Sequence, residues 1–315
     1  MKINGICLIL TDRCTARCDI CCFSCSPERN QVMDEQLMLD TIDAAEGVEY
    51  IGFSGGEPFL EYKLLLKGVT RAKERGHTVT IATNGFWGAW PRERIEETLH
   101  CLKPNIIFIS TDYYHAQYVS EAVLAEAVSA AKSMGIRTEL SIGETKEGIS
   151  AAEYFKSLGT YKYLTNYTIY PFVRAGRAAA LPDEAFIRPV PTQQLYCAAR
   201  GMISVRYDGQ VFPCCEQLVF DTAMSLGNVK NSTIKDLLAA EDNNVKLSVI
   251  KAMGFDFLMD SAKESLGLDF PSECSKSCEI CGMLFKNDED VVQRLNEWIA
   301  EEYGRLSVDK LLMRA

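Results

Sequence analysis

The sequence lacks the features that would take a chain out of the cytoplasm or into a membrane. It has no uninterrupted apolar run of the roughly 20 residues that a membrane-spanning helix requires. Residues 1–10 contain a single lysine and an apolar stretch that is too short for a secretory signal. We therefore expect a cytoplasmic protein with no membrane partner.

The sequence also lacks an excess of basic residues. It has 33 Lys and Arg against 43 Asp and Glu, a net charge of −10 over 315 residues. A surface that binds phosphates needs a basic face, so nucleic acid is not an expected partner, whereas a basic peptide is compatible with this charge. Low-complexity segments, charged tails and solenoid repeats are absent as well, which leaves an ordinary folded globular protein.

Cysteine, by contrast, is abundant, with 13 residues. Without a secretory context, metal or redox use explains them better than disulfides do. Cys14, Cys18 and Cys21 have C-x3-C-x2-C spacing in a loop after an apolar run, so three thiolates can hold three irons of a four-iron cluster. The fourth iron would be free to bind a small molecule. A structural zinc site is the alternative, although it usually has four ligands in paired C-x2-C spacing.

This spacing resembles the signature of the radical S-adenosylmethionine (SAM) superfamily, and the GGEP segment, residues 55–58, resembles its second motif. The resemblance implies that the three cysteines bind a 4Fe–4S cluster whose open iron is chelated by SAM. It also implies that Gly55, Gly56 and Glu57 contact the amino group of SAM. Ile20 stands where many members have an aromatic residue, and we expect it to pack against the adenine.

Strand and helix patterns alternate along the first half of the chain, which is typical of a parallel sheet covered by helices. The helices show apolar residues at i, i+4 and i+7, as in Met38, Ile42 and Ala45. The predicted strands are Ile6–Leu10, Val48–Phe53, Thr78–Ala82, Ile106–Ser110, Arg137–Ile142 and Tyr163–Tyr170. Glycines that mark predicted helix ends are Gly47, Gly76, Gly135 and Gly159. The pattern allows an open doubly wound sheet or a curved sheet, and the resemblance selects a partial, TIM-like (β/α)6 barrel.

Polar residues follow the carboxyl ends of the predicted strands, where such folds carry their reactive face. Ser110 and Asp112 follow the fourth strand and Arg174 follows the sixth, and we expect all three to bind the cofactor. His115 lies beside Asp112 and is a further candidate for contact with SAM or substrate. Ordinary solvated loop residues are the alternative for each of them.

A proline-rich stretch, residues 181–191, predicts a domain boundary between a barrel at 1–190 and an extension at 191–315. Beyond it, Met202–Tyr207 and Gln210–Phe212 flank Asp208-Gly209 and predict a β-hairpin. Four cysteines around this hairpin and in a distant loop can form one closed site, either an iron–sulfur cluster or zinc. They are Cys197, Cys214, Cys278 and Cys281. The region resembles the SPASM or twitch extension of radical SAM enzymes, which implies one auxiliary 4Fe–4S cluster, with Cys274 as a spare or alternative ligand.

A closer resemblance extends over most of the chain, to the radical SAM peptide epimerases that make epipeptides. The runs that carry it are CDICCFSCSP (18–27), TNGFWG (83–88), DYYHAQYV (112–119), YDGQVFPCC (207–215) and CEICGMLF (278–285). It implies that an L-residue of a ribosomally made precursor peptide, typically Val or Ile, becomes the D-form. Cys215 matches the family's hydrogen donor. A flavodoxin- or ferredoxin-type protein would supply the low-potential electron.

Three alternatives stay open at this point. The enzyme could cross-link a peptide through a thioether or carbon–carbon bond, or the chain could be an iron–sulfur electron-transfer or zinc-stabilised binding protein. Cys215 could be an ordinary buried thiol or a replacement ligand. For the remaining cysteines we expect structural roles, with Cys22 and Cys25 beside the cluster and Cys7 and Cys101 in the core.

Overall fold

The computed structural model of the protein describes residues 4–146, 150–158, 166–192, 195–197, 201–242 and 245–286, together with 293, 296–298 and 300–301. Its strands are β1 (Gly5–Ile9), β2 (Tyr50–Ser54), β3 (Thr78–Thr83), β4 (Ile106–Ser110), β5 (Arg137–Glu144), β6 (Asn166–Pro171), β7 (Val190–Pro191), β8 (Met202–Arg206), β9 (Gln210–Phe212), β10 (Gly227–Asn228) and β11 (Glu273–Cys274). Its helices are α1 (Glu35–Asp43), α2 (Tyr62–Glu74), α3 (Arg92–Leu102), α4 (Glu121–Ser133), α5 (Ala151–Ser157), α6 (Ile234–Asp242), α7 (Val245–Leu266) and α8 (Cys278–Leu284).

The barrel is formed by β1 to β6, which lie side by side in chain order and are all parallel. Helices α1 to α5 connect consecutive strands from β1 to β6, and the segment between β5 and β6 includes undescribed residues. This arrangement confirms the predicted partial (β/α)6 barrel. The predicted strand bounds agree with the structure to within about two residues, except that the start of the strand predicted at 163–170 lies outside the described residues.

The two faces of β1 show how the barrel divides its side chains. Ile6 and Leu8 are fully buried in the core between sheet and helices, while Cys7 points to the opposite face, inside the barrel. On that inner face a Cβ added to Gly52 would lie 3.0 Å from Thr80 Oγ1 and 3.9 Å from Cys7 Sγ. The inner wall is therefore built there from small and polar groups that lie close together.

The predicted hairpin is present but does not stand apart from the barrel. β8 and β9 pair antiparallel around Gly209, whose φ is +89°. β8 also pairs in parallel with β1 along its whole length, from Gly5↔Met202 to Ile9↔Arg206. Within the described residues one sheet therefore runs β10-β9-β8-β1-β2-β3-β4-β5-β6, so the extension continues the barrel's sheet.

A second hydrophobic core lies in the C-terminal part and packs around α7, α8 and the 3-10 turn at Gln217–Asp221. Phe212, Phe255 and Phe285 are buried in it. Three rings connect this core with the cysteine loop: Phe23 lies 5.1 Å from Phe220 and Phe220 lies 4.9 Å from Phe212, centroid to centroid. These rings, Phe23, Phe220 and Phe212, are called the aromatic bridge below.

The predicted helix ends and C-terminal helix can be compared in part. Gly47, Gly76 and Gly135 have positive φ at the ends of their helices, as predicted, and Gly159 lies outside the described residues. The sequence predicts a C-terminal helix that packs through Val291, Leu295 and Trp298 on one face. Trp298 is buried in the second core, whereas Val291 and Leu295 lie outside the described residues. No helix in the described ranges combines the length and apolarity that crossing a bilayer requires.

Candidate active site

The cysteine loop leaves the carboxyl end of β1 and folds back on itself. The backbone N–H of Cys14 donates to Ser26 O at 3.1 Å, and the N–H of Ser26 donates to Asp12 O at 3.3 Å, which closes the loop at its base. Cys14, Cys18 and Cys21 all line one cavity at this end of the barrel. The structure thus brings the three predicted ligands of the first cluster together.

Several N–H groups point at the ligand sulfurs. Ala16 N lies 3.4 Å and Asn84 Nδ2 lies 3.6 Å from Cys14 Sγ, and Cys25 N lies 3.4 Å from Cys21 Sγ. Donors of this kind stabilise thiolates, and hydrogen bonds to sulfur also tune iron–sulfur clusters. Buried sulfurs with donors aimed at them are the surroundings that a thiolate-bound cluster needs.

The pKa values of the three thiols reflect burial and these contacts. Burial raises the pKa of Cys14 to about 12 and raises that of Cys18 as well. Cys21 differs, because a hydrogen bond from the Cys25 thiol and the nearby Arg177 charge help to lower its pKa to about 6. Thiolates buried in this way require positive charge, which bound iron supplies.

The GGEP segment lies against the cysteine loop, and only glycine fits this approach. Gly55 has φ +135°, and a Cβ there would lie 2.4 Å from Thr11 O. A Cβ on Gly56 would lie 2.1 Å from Arg13 O. The N–H groups of Gly56 and Glu57 donate to Thr11 O at 2.7 Å and Arg13 O at 2.9 Å. Gly55 and Gly56 line the cavity, as expected for groups near SAM.

Glu57 has a different position from the glycines, because its side chain is fully buried and does not line the cavity. Its carboxylate accepts hydrogen bonds from Thr83 Oγ1 at 2.8 and 2.9 Å, Asn84 N at 2.8 Å and Phe59 N at 3.1 Å. Burial outweighs these bonds and raises its pKa to about 7. In the structure Glu57 therefore braces β2 against β3, and its contact with SAM stays a prediction.

The carboxyl end of β4 and the residues after it form a further wall of the cavity. Ser110 and His115 line the cavity, together with Ile20 of the cysteine loop. Asp112 is buried, accepts from the N–H groups of Tyr114 and His115, and lies 2.8 Å from His115 Nδ1. Burial alone would lower the pKa of His115. The adjacent Asp112 carboxylate has the opposite effect, and the pKa of His115 lies above its usual value. Asp112 thus orients the imidazole of His115, which lines the cavity, whereas Asp112 does not line the cavity.

The two arginines after β6 have different positions. Arg174, the predicted cofactor ligand, does not line this cavity; it pairs with Asp183 at 2.9 Å and lines a separate cleft. Arg177 instead reaches the cysteine loop and bonds to its carbonyl oxygens. Sequence reasoning missed Arg177, because no spacing signal connects it with cysteines about 150 residues earlier.

The predicted auxiliary site is also assembled. Cys197, Cys214, Cys278 and Cys281 line one small cavity with apolar walls that include Phe255. Cys278 and Cys281 lie three residues apart on α8, which places both side chains on one helix face. Burial raises the pKa of Cys281 to about 12 and raises those of Cys214 and Cys278, with the neighbouring thiols adding to the effect. Four buried sulfurs around one apolar cavity fit an auxiliary cluster.

The remaining cysteines are distributed as follows. Cys274 is buried on β11 beside Glu279 and does not line the auxiliary cavity. Cys22 and Cys25 line the first cavity. The expectation of a core position is wrong for Cys101, which is exposed on α3 because its helix face points to solvent. In the described part of the chain, no three His, Cys, Asp or Glu side chains converge on the position of a single metal ion.

Cys215 differs from its neighbour Cys214 in being exposed. Ser204 Oγ donates to Cys214 O at 2.7 Å, and Ser204 is the β8 partner of Cys7. Burial raises the pKa of Cys7, inside the barrel, and the nearby Cys215 adds to this rise. Cys215 is therefore an exposed residue, and its thiol, whose pKa burial raises to about 11, lies close to the inner wall of the barrel.

Comparison with known proteins agrees with this geometry. The model of the radical SAM superfamily matches residues 8–143, and the model of SPASM, an iron–sulfur cluster-binding domain, matches residues 197–281. The chain therefore contains a radical SAM domain followed by a SPASM domain, as the resemblance of its motifs implied. Its cofactors are SAM, the 4Fe–4S cluster that binds SAM and an auxiliary cluster.

Among curated relatives, the chain is 27% identical over 296 residues to "Putative peptide biosynthesis protein YydG" of Bacillus subtilis (strain 168), covering 90% of this chain and 92% of that protein. Among solved structures, anSMEcpe with bound AdoMet and the Cp18Cys peptide has a TM-score of 0.55 at 14% identity, covering 97% of this chain and 99% of that one. Streptococcus suis SuiB bound to its precursor peptide SuiA has a TM-score of 0.59 at 11% identity, covering 88% and 76%. These structures show the shared fold.

Proposed function

We propose that this protein is a radical SAM peptide epimerase that converts L-residues of a ribosomally made precursor peptide, such as Val or Ile, to their D-forms. The observation that supports this most directly is the position of Cys215, an exposed residue next to the auxiliary-site Cys214. The carbonyl of Cys214 accepts from Ser204, the strand partner of Cys7 on the barrel's inner wall. The peptide substrate is supported by the name of the Bacillus subtilis relative and by the peptide-bound neighbours of the same fold.

In this reaction one group of residues acts on one face of the peptide Cα and removes its hydrogen atom, and Cys215 acts on the other face. Cys14, Cys18 and Cys21 would hold the cluster and Gly55 and Gly56 would hold the amino group of SAM. When bound and reduced there, SAM supplies a 5′-deoxyadenosyl radical that removes a hydrogen atom from a peptide Cα.

Cys215 then completes the inversion. Its S–H bond breaks homolytically, the hydrogen atom forms a new C–H bond on the opposite face of the Cα radical, and a sulfur radical is left. One electron from the low-potential donor and one proton from solvent restore the thiol. The substrate gains and loses one hydrogen atom, so its composition is unchanged.

The test is turnover in heavy water with purified enzyme, SAM, reductant and the precursor peptide. Because the thiol proton exchanges with solvent, epimerisation places one deuterium on each inverted residue. The alternative reaction, oxidative cross-linking, removes two hydrogens and adds no deuterium. A product with two hydrogens fewer would contradict the proposal.

Cys215→Ala should abolish the D-product while SAM cleavage continues, because the first cluster site is untouched. Cys274→Ala is the matched control, since this buried thiol lies outside the auxiliary cavity. Chiral amino-acid analysis of the peptide and quantification of 5′-deoxyadenosine measure the two activities separately. D-product formed by Cys215→Ala at the wild-type rate would show that another group is the donor.

A further inference from the structure

The loop that carries the first cluster contains more cysteines than the cluster needs. Two C-x3-C-x2-C registers overlap in it, Cys14-Cys18-Cys21 and Cys18-Cys22-Cys25. All five cysteines line the same cavity. The backbone of the loop must therefore be fixed if only one register is to present its sulfurs to the irons.

Arg177 fixes this backbone from outside the loop. Its Nε donates to Cys18 O at 2.9 Å and its terminal guanidinium nitrogen donates to Cys25 O at 2.6 Å. Its backbone N–H donates to Cys21 O at 2.9 Å. One residue after β6 thus binds three carbonyl groups spread over the loop.

The residue before it shows how closely the two segments approach. Gly176 has φ +55°, and a Cβ there would lie 2.3 Å from Cys22 O. Only glycine fits both the dihedral angle and the contact. The Gly176-Arg177 pair is therefore shaped to the cysteine loop.

Arg177 brings a positive charge to the cysteine loop, and its side-chain hydrogen bonds go to neutral carbonyl groups. The residue is half-buried, and the ion pairs found within the described residues do not include it. A guanidinium stays protonated under all ordinary conditions. A cluster becomes more negative on reduction, so a fixed cation nearby favours the reduced form and raises the reduction potential.

We propose that Arg177 is a positioning residue of the first cluster, which holds the loop so that Cys14, Cys18 and Cys21 bind iron and whose charge makes that cluster easier to reduce. This role depends on the cluster and not on the reaction at the peptide, so its failure and that of the epimerase proposal are separable.

The first measurement is the reduction potential of the cluster whose paramagnetic resonance signal changes on addition of SAM. In Arg177→Met we expect the ratio of reduced to oxidised cluster at a fixed potential to fall about tenfold, a shift of about 59 mV for one electron. Arg177→Lys keeps the charge and should retain most of the potential. Arg17→Met is the matched control, because this arginine is in the same loop but its side chain is 63% exposed and lies 3.9 Å from Glu28.

The second measurement is amide hydrogen exchange over residues 18–26 in the protein before cluster insertion. Both Arg177 variants should exchange faster there, since Lys cannot bridge two carbonyl groups as the guanidinium does, and Arg17→Met should not. This readout decides the holding role even if a variant fails to assemble its cluster. Unchanged exchange, or faster exchange spread over the whole chain, would overturn that role.

Two results would contradict the proposed effect of the Arg177 charge on the reduction potential. An Arg177→Met potential equal to that of Arg17→Met overturns the electrostatic role, as does an Arg177→Lys potential as low as that of Arg177→Met. If Arg177→Met does not assemble a cluster, the Arg177→Lys potential alone decides, and a value far below wild type counts against the charge.

Discussion

At the scale of single residues, Glu57 shows how a motif residue can serve the fold and the site together. Its carboxylate is buried without a cationic partner among its hydrogen-bond donors, which are Thr83, Asn84 and Phe59. Asn84, positioned in this way, donates in turn to Cys14 Sγ and Thr15 Oγ1. The connection from Glu57 through Asn84 therefore ends at Cys14, a predicted ligand of the first cluster.

The pKa of Glu57 predicts a pH dependence of stability. Burial holds it at about 7 in the folded protein against an ordinary value of 4.5. The folded state thus binds more protons than the unfolded state between these values, so the free energy of unfolding falls as pH rises through this window. In Glu57→Gln the decrease in the free energy of unfolding between low and high pH should be smaller by ~3 kcal/mol. At low pH the variant should be less stable than wild type, because the amide NH2 of Gln would face backbone N–H donors.

Urea unfolding of the cluster-free protein at about pH 5 and about pH 8 measures this effect. Glu35→Gln is the control, since Glu35 is an exposed carboxylate paired with Lys67 on the surface. A pH dependence in Glu57→Gln equal to that of wild type would show that other groups cause it.

At the scale of elements, the contact between the GGEP segment and the cysteine loop depends on two glycines. Gly56→Ala would place a methyl group 2.1 Å from Arg13 O, so the loop must move and the first cluster should be lost or no longer respond to SAM. Gly135→Ala, at a helix end with φ +72° and nothing within 4 Å, should cost only about 1 kcal/mol.

Iron and sulfide content, with paramagnetic resonance before and after addition of SAM, distinguishes these two glycine variants. Normal SAM response in Gly56→Ala would mean that the two segments can separate without loss of the site.

The elements themselves could be predicted because their signals are local. Alternating patterns predicted β1 to β5, and Asp208-Gly209 predicted the hairpin. The cysteine motifs predicted two groups of ligands, and the structure brings the members of each group to one cavity. The assignment of a cofactor contact to Arg174 rested only on its position after the sixth strand. In the structure Arg177 bonds to the cysteine loop, and Arg174 does not line the cavity. Pairing of β8 with β1 joins residues about 200 positions apart, a contact that periodicity cannot reveal.

At the scale of the whole molecule, this pairing bears on the predicted boundary at residue 190. β8 covers β1 from Gly5 to Ile9, so removal of residues 191–315 would leave β1 as an open sheet edge. We expect a chain of residues 1–190 to aggregate or unfold without cooperativity, whereas the full chain unfolds cooperatively.

Size-exclusion chromatography and denaturant unfolding of the two chains test this. A monomeric 1–190 chain that unfolds cooperatively and binds a SAM-responsive cluster would establish the barrel as an independent domain.

The aromatic bridge has a practical consequence for engineering. Phe23 belongs to the loop of the first cluster, whereas Phe220 and Phe212 belong to the segment that surrounds the second. A chimera that exchanges only the C-terminal half between two such enzymes would pair a foreign ring with Phe23. Residues 22–25 should therefore be exchanged together with the C-terminal half, although they lie in the N-terminal half of the sequence.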